Sequence, residues 1–337
     1  MSVKRVFIVS IIAFLFPVWV QAKTNANMNG AASLKAAEFS VFIDFEARYA
    51  NRRNFLDRGF TLNDASLVWK KALSSYGFVY LDLPVMAELD GDSNEFDVGE
   101  RRPEAFLRFE KESYFLNFGQ YATPFGYEAS SSKARFFADW GPVRSYVLPK
   151  THAGVLWGMR REPTTVFVQL ANPNGSSAPG TEYVEVGAGV ILQFSELDVM
   201  LGGTFSESQM PYPENRTNLL AEIRAGFGRE RLRIDGSFNI KKSAGSDKSG
   251  GAFGILSTYN VNEVWTAGVR IEKLSDIYAV LTTGAGTFES VFATSAGALY
   301  RLQPDLIVRG DFTLLDMKAP GIDDVFQIVT VSTVAEF

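Results

Sequence analysis

Charged side chains recur at every second position in several segments of this sequence, with apolar residues between them. Arg233 and Asp235 flank Ile234, and Asp44, Glu46 and Arg48 occupy alternate positions of another segment. Because successive side chains of a β-strand point to opposite faces, each of these charged sets shares one face. A charged, solvated strand face of this kind interacts with ions and polar solutes electrostatically, without covalent chemistry.

Hydrolytic chemistry has few candidate residues. His152 is the only histidine, so a Ser-His-Asp arrangement would have to use it. Three serines at 130–132 lie on the preceding stretch, but the G-x-S-x-G turn that exposes a nucleophilic serine is absent. We therefore predict that the protein is not an enzyme and that it uses no cofactor.

One acidic stretch resembles the start of a calcium loop. Its four oxygen-bearing side chains at calcium-loop spacing are Asp90, Asp92, Asn94 and Asp97. Glu95 stands where an EF-hand needs glycine, and Arg101 stands where the bidentate acid belongs. The stretch is thus a weak calcium candidate, and the alternative is an ordinary acidic loop.

The N-terminus has the pattern of a secretory signal peptide. Lys4 and Arg5 precede an apolar run from Val6 to Val20, and a small residue, Ala22, ends the segment. A membrane helix is the alternative, but the run is short and contains Pro17. We predict a cleaved signal at 1–22 and a short periplasmic segment at 23–37.

The composition after the predicted cleavage is that of an acidic exported chain. Loss of the two bases takes the formal net charge from −5 to −7, which argues against a nucleic-acid partner. The sequence has no cysteine, 29 glycines and 28 phenylalanines. The absence of cysteine is compatible with export, and no run of 18 apolar residues follows the signal.

Alternating polarity predicts β-strands along the whole remaining chain. In residues 38–49, one face carries Phe39, Phe45 and Tyr49 and the other carries the acids named above. The steps from Phe39 to Tyr49 cover about 33 Å, which a tilt near 40° reduces to about 25 Å, the height of a membrane barrel's apolar band. Sixteen such segments are predicted at 38–49, 62–71, 76–87, 104–111, 114–121, 151–160, 165–170, 183–194, 197–205, 217–227, 229–241, 251–259, 263–274, 288–301, 305–316 and 325–337.

The connections between these segments alternate between long and short. The odd-numbered connections are long and polar, for example 50–60 and 275–287, whereas the even-numbered ones are tight turns. A β-sandwich has no reason to sort its connections in this way, but a transmembrane barrel has long outer loops and short periplasmic turns. We therefore predict an all-β fold, a transmembrane antiparallel β-barrel of about 16 strands over 38–337, with an aqueous lumen.

The last segment ends on an aromatic residue, Phe337. A terminal aromatic on an alternating strand resembles the signal that the outer-membrane barrel assembly machinery of Gram-negative bacteria reads. Thr333 and Ala335 are weaker than the apolar residues that usually accompany such a signal. The pattern predicts a bacterial outer-membrane location.

The segment "NFGQYATPFGYEASS", followed by "PKTHAGVLWG", resembles part of the bacterial outer-membrane porins. It is similar to the putative β-barrel porin family and, more distantly, to the phosphate-selective porins. The matching residues are Gly119, Gln120, Pro124, Phe125, Gly126, Glu128, His152, Gly154 and Gly158. The resemblance implies a homotrimer, surrounded by outer-membrane lipid and lipopolysaccharide, whose third outer loop folds into the lumen; here that loop would be 122–150.

Charged residues of this loop and of the facing wall are the predicted pore constriction. They are Glu128, Lys133, Arg135, Asp139, Arg144, Arg108, Arg270 and Arg309. Further predicted lumen-wall residues are Asp44, Glu46, Arg48, Arg233, Asp235 and Asp311. Acids and bases nearly balance on the inward phase, which predicts weak ion preference.

The sequence thus predicts passive diffusion of small hydrophilic solutes and ions. One alternative is a channel specific for phosphate, another small anion or a sugar. A second alternative is a structural or adhesive barrel whose outer loops bind a partner.

Overall fold

The structure is a computed structural model that describes residues 37–52, 55–84, 103–128, 134–172, 184–207, 217–243, 248–281, 284–319 and 322–337. The predicted signal peptide, residues 23–36 of the predicted periplasmic segment, the weak calcium candidate and Lys133 lie outside these residues. No helix in the described part of the chain is long and apolar enough to cross a membrane.

Sixteen antiparallel strands form a closed barrel in which each strand pairs with its neighbours in the sequence and β1 pairs with β16. The strands are β1 Glu38–Arg52, β2 Phe55–Ser74, β3 Gly77–Pro84, β4 Glu104–Lys111, β5 Tyr114–Ala122, β6 Thr151–Arg161, β7 Thr164–Ala171, β8 Glu185–Gln193, β9 Leu197–Glu207, β10 Thr217–Arg229, β11 Leu232–Lys242, β12 Gly250–Asn260, β13 Trp265–Leu281, β14 Gly284–Gln303, β15 Leu306–Ala319 and β16 Ile322–Glu336. The predicted fold class and strand number are confirmed.

The seam between β1 and β16 closes the barrel. Its register runs from Phe42 opposite Glu336 to Arg52 opposite Phe326. Beyond it, the Val41 amide donates to the Phe337 carbonyl at 3.1 Å and the Phe337 amide donates to the Val41 carbonyl at 2.8 Å. Closure is required in hydrocarbon, where an open sheet edge would leave backbone groups without partners. The Phe337 side chain is exposed, and its role in assembly stays a prediction.

The predicted inward and outward faces are those of the structure. On β1, Phe39, Phe45 and Tyr49 are exposed on the outer face, and Asp44 and Glu46 are buried on the inner face. The other strands carry their large exposed apolar residues in the same phase, for example Phe238 on β11 and Val331 on β16. The barrel therefore presents an apolar exterior and a polar interior.

The extent of the predicted outer connections at 50–60 and 275–287 was wrong. β1 continues to Arg52 and β2 begins at Phe55, while β13 continues to Leu281 and β14 begins at Gly284. Similarly, β15 ends at Ala319 and β16 begins at Ile322, inside the connection predicted at 317–324. Backbone pairing continues past the apolar band, because the ladder needs only peptide groups and not alternating polarity.

The third outer connection, 123–150, is the longest between two strands and is called the third loop below. Its described parts are 123–128 and 134–150. An apolar cluster forms between it and the inner wall, so the core of the molecule lies inside the barrel. The cluster includes Phe125, Val143, Val147 and Leu148 of the loop and Met200, Leu274, Ile277, Phe288 and Val291 of the wall.

Candidate functional site

The third loop leaves β5 and returns to β6 through a closed base. The Thr123 amide donates to the Lys150 carbonyl at 3.2 Å. Within the loop, Val143–Val147 forms a short π-helix, closed by the Leu148 amide on the Val143 carbonyl at 3.3 Å. The contacts described next show that this loop lies against the inner face of the wall.

The turn at Gly126 is fixed by two charged residues of β10. The Gly126 amide donates to both carboxylate oxygens of Glu222 at 3.0 Å, and Arg224 Nη1 donates to the Gly126 carbonyl at 2.5 Å. Gly126 has a φ of +94°, a left-handed conformation that L side chains rarely adopt. A Cβ there would also lie 2.5 Å from Leu148 Cδ1, so the turn requires glycine on both counts.

A buried ion pair joins the centre of the loop to β13. Arg270 Nη1 lies 2.5 Å from Glu128 Oε1 and donates to the Asp139 carbonyl at 3.1 Å. Arg270 Nη2 donates to Ser295 Oγ on β14 at 3.2 Å. Glu128 Oε2 accepts the Gly141 amide at 2.9 Å. The pair is removed from water, with side-chain exposures of 3% and 5%, so it holds the loop.

Glu272, two residues along β13, accepts two further bonds from the loop. The Tyr127 hydroxyl donates to Glu272 Oε1 at 2.7 Å, and the Val143 amide donates to the same oxygen at 3.3 Å. Burial raises the pKa of Tyr127, and the neighbouring carboxylates Glu272 and Glu128 raise it further. The phenol therefore stays protonated at neutral pH and remains a donor.

Arg309 on β15 holds the loop segment at 135–138. Its Nη2 donates to Asp44 on β1 at 2.6 Å and its Nε donates to Ser332 on β16 at 2.9 Å. Its Nη1 lies 3.4 Å from the Arg135 carbonyl. Asp311, also on β15, accepts the Ala138 amide at 3.3 Å. One guanidinium thus ties three strands to the loop backbone.

Four wall glycines, one each on β9, β12, β13 and β14, lie next to aromatic rings of the third loop. A Cβ at Gly268 would lie 2.6 Å from Phe136 Cε1, and one at Gly254 would lie 2.5 Å from the Tyr127 hydroxyl oxygen. These positions leave space that rings of the loop fill. We call them the glycine seats; they are Gly202, Gly254, Gly268 and Gly297.

Trp140, another aromatic residue of the third loop, is surrounded by three basic side chains. The charged groups of Lys150, Arg135 and Arg144 lie 4.9, 5.0 and 5.8 Å from its centroid. Arg144 is buried and donates to the Phe125 carbonyl at 3.2 Å and to the Lys150 carbonyl at 3.3 Å. Burial lowers the pKa of Arg144 to about 10, so the guanidinium is still charged at neutral pH.

The structure divides the predicted constriction residues into two groups. Four of them are buried between the loop and the wall: Glu128, Arg144, Arg270 and Arg309. Arg135 and Asp139 are partly exposed, and Asp139 Oδ2 lies 3.9 Å from Nη1 of Arg48 on β1. Arg108 makes none of the described contacts with the loop. It pairs with Glu110 at 3.4 Å.

The predicted lumen-wall residues divide similarly. Asp44, Glu46 and Asp311 are buried, whereas Arg48 is 40% exposed. Arg233 is 54% exposed and pairs with Asp235 at 2.6 Å. Sequence alternation placed all of these side chains on the inner face, but it could not show which of them the loop covers.

A hydrogen-bonded group at the base of the loop was missed by the sequence reasoning. His152 on β6 is fully buried; its Nδ1 lies 3.0 Å from Glu185 Oε1 on β8, and its Nε2 lies 3.0 Å from Thr123 Oγ1. Gln169 on β7 also contacts the imidazole, at 3.2 Å. No sequence signal connects Thr123 with Glu185. An Nδ1–H donating to Glu185 would leave Nε2 to accept from Thr123, so the group fixes the start of the loop.

Among the residues that the structure describes, no group of three or more histidine, cysteine, aspartate or glutamate side chains could hold a metal ion. A closed barrel with charged side chains inside it and a long loop against its inner wall defines the class of β-barrel membrane channels.

The chain belongs to the putative β-barrel porin-2, OmpL-like family, whose model matches residues 76–334. The resemblance to outer-membrane porins is therefore confirmed. The protein lies in the bacterial outer membrane and is a channel for small solutes. Its family and fold are those of porin channels, and the absence of catalysis stays a prediction.

Solved porin structures have the same fold. OmpT of Vibrio cholerae in its trimer form has a TM-score of 0.62 at 12% identity, covering 90% of this chain and 100% of that one. The channel DcaP of Acinetobacter baumannii has a TM-score of 0.65 at 12% identity, with 89% and 97% covered. OmpF of Salmonella typhi has a TM-score of 0.68 at 12% identity, also with 89% and 97% covered. No curated protein matches the chain in sequence.

Proposed function

We propose that this channel conducts small hydrophilic solutes and ions by passive diffusion and that the third loop is its constriction. The observation that carries the proposal is the docking of the loop on the inner wall. Buried charged contacts from Glu128, Arg270 and Arg309 fix the loop within the barrel. A loop fixed there reduces the cross-section of a lumen that sixteen strands would otherwise leave wide.

The groups that meet solvent at this level carry both signs. Arg48 and Asp139 are 40% and 36% exposed and lie 3.9 Å apart, and Arg135 of the same loop is partly exposed. Groups of opposite sign at the constriction give modest ion preference, because selectivity follows the net charge that an ion meets. The buried charges hold the loop in place.

The test is single-channel recording of the refolded chain in a planar bilayer with a salt gradient. We expect ohmic current steps and a small reversal potential. Asp139→Lys removes an acid and adds a base, so the reversal potential should shift toward anions. An unchanged reversal potential would show that Asp139 is not part of the constriction. Small steps blocked by phosphate or a sugar would favour the solute-specific alternative, and a chain that forms no channels would favour the structural or adhesive alternative.

We propose that the protein assembles as a homotrimer in contact with outer-membrane lipid and lipopolysaccharide. The signal at 1–22 would direct export of the chain, and the barrel assembly machinery would insert it. The trimer form described for OmpT of Vibrio cholerae supports this proposal. Native mass spectrometry of the detergent-extracted protein measures the stoichiometry directly, and a monomer would contradict it.

A further inference from the structure

The inner faces of β2, β3, β4 and β6 carry aromatic and basic side chains next to each other. We call this surface the aromatic–basic face; its members are Lys70, Phe78, Tyr80, Phe106, Arg108 and Arg160. None of the loop contacts described above uses these residues. They therefore form a second surface in the lumen with chemistry of its own.

Strand register places the residues of β2, β3 and β4 side by side. Tyr80 lies opposite both Lys70 and Phe106, and Phe78 lies opposite Arg108. Residues directly opposite in antiparallel strands share one face of the sheet. Leu83 and Phe109, which have the other phase on β3 and β4, are exposed on the apolar exterior. On β6, Trp157 has the outward phase and Arg160 the inward one, so all six residues face the lumen.

The rings form a continuous, partly exposed surface. The centroids of Tyr80 and Phe106 lie 5.0 Å apart with an interplanar angle of 30°, and those of Phe78 and Phe106 lie 6.5 Å apart. Lys70 Nζ lies 4.8 Å from the Phe78 centroid. In the next row on β5, Gly119 lies opposite Phe106 and contributes no side chain beside this ring.

The unburied charges beside these rings are predominantly basic. Arg108 and Arg160 share the carboxylate of Glu110, at 3.4 and 3.3 Å. Lys70 adds a third base. Two further acids nearby, Asp82 and Glu104, lie opposite each other on β3 and β4 and are buried; the Tyr80 hydroxyl donates to Asp82 at 3.5 Å. Of these charges, the three bases and Glu110 are not buried, so the charge that meets the lumen is net positive; Arg160 is 52% exposed.

The aromatic–basic face lies apart from the described contacts of the third loop. The described contacts of the third loop run to β1 and to β9 through β15, and at the base of the loop to β6 and β7. Arg108 lies near the end of β4, close to the short turn at 112–113. A solute that passes between the loop and the opposite wall would meet the aromatic–basic face on the side of the short turns.

We propose that the aromatic–basic face binds small planar aromatic carboxylates in transit. An aromatic ring of the solute packs on Tyr80 and Phe106, and its carboxylate pairs with Arg108, two residues along β4 from Phe106. The net positive charge favours an anion over a neutral sugar. This inference rests on the proposed function, because it requires an open lumen.

The test is block of single-channel current by benzoate in the refolded full-length chain. Acetate supplies the charge without the ring, and benzyl alcohol supplies the ring without the charge. We expect benzoate to reduce the current at lower concentration than either. Phe106→Leu, or Tyr80→Leu if the first variant fails to refold, should weaken the block about threefold to tenfold, as expected for loss of one ring contact.

The matched control for the base is on the other side of the barrel. Arg108→Gln should abolish the preference for benzoate over benzyl alcohol. Arg233→Gln should preserve it, because Arg233 likewise pairs with the acid two residues along its own strand but is not part of this face.

Open channels that benzoate blocks no better than acetate would overturn this inference and leave the proposed function intact. Equal block by glucose would overturn it in favour of a sugar site. A refolded chain without any conductance would overturn the proposed function and, with it, this inference.

Discussion

At the scale of single residues, burial decides what a charged pair does in this barrel. Arg270–Glu128 and Arg108–Glu110 have the same chemistry, but the first pair is almost fully buried and the second has exposures of 21% and 44%. A buried pair is costly to break, because either partner alone would be an uncompensated charge away from water. An exposed pair exchanges with water and ions at little cost.

Gly126 provides the sharpest single-residue prediction. Gly126→Ala should weaken docking of the loop by about 1–3 kcal/mol, because alanine is disfavoured at positive φ and its methyl group would meet Leu148. Loop motion appears as current fluctuation, so single-channel noise should rise.

Gly251→Ala is the matched control, because a Cβ at Gly251 has no neighbour within 4 Å. Traces from Gly126→Ala that match those of Gly251→Ala would show that the turn does not determine the loop position.

The sequence predicted where side chains point at this scale, but not which of them the loop buries. The alternation around Asp44, Glu46 and Arg48 was sufficient to place all three on the inner face. Their different exposure depends on the path of the third loop, which carries no periodic pattern. His152 shows the same limit, because its partners Thr123 and Glu185 come from a loop and from another strand.

At the scale of elements, the third loop is a separate unit docked on a finished wall. Wall carboxylates accept its backbone amides: Glu222 from Gly126, Glu272 from Val143 and Asp311 from Ala138. A loop buried against a wall needs such acceptors, because its peptide groups have no sheet partners. The wall thus provides the hydrogen bonds that a strand would provide elsewhere.

Removing one charge should release this element. Glu128→Gln leaves Arg270 buried with Glu272 as its remaining acidic neighbour, at 3.7 Å, and should cost about 3 kcal/mol of docking energy. A released loop widens the passage, so we expect larger single-channel conductance.

The control for this change is Glu196→Gln, which breaks an exposed pair with Arg229 and should leave conductance unchanged. If Glu128→Gln conducted like the wild type, the ion pair could not be what fixes the loop.

Strand existence was predicted well, and strand ends were not. The segment 104–111 was placed to the residue because its alternation ends at a turn. The hairpins β1–β2 and β13–β14 were cut short, because the alternating polarity of the sequence ends before the strands do. Pairing continues without that pattern.

At the scale of the whole molecule, the barrel has a sided architecture. The connections at 112–113 and 230–231 are two-residue turns, and the third loop lies at the other end. In outer-membrane barrels the short turns face the periplasm. The end that carries the third loop should therefore face the exterior of the cell.

The absence of cysteine makes this orientation measurable. Lys248→Cys, on the outer connection between β11 and β12, should react on intact cells with a maleimide on a polymer too large to enter the pore. Ser195→Cys, in the turn at 194–196, should react only after the outer membrane is opened. Both positions are exposed, so access alone decides the result. The reverse labelling pattern would show that the barrel has the opposite orientation in the membrane.

The glycine seats limit how the third loop can be exchanged between barrels. Phe136 and Tyr127 occupy space that exists only because the wall has no side chain at Gly268 and Gly254. The width of the passage is therefore encoded in two distant parts of the gene. A third loop grafted into another barrel would meet Cβ atoms where its rings should lie. Pore size should be transferable between barrels only when the loop and the seats are exchanged together.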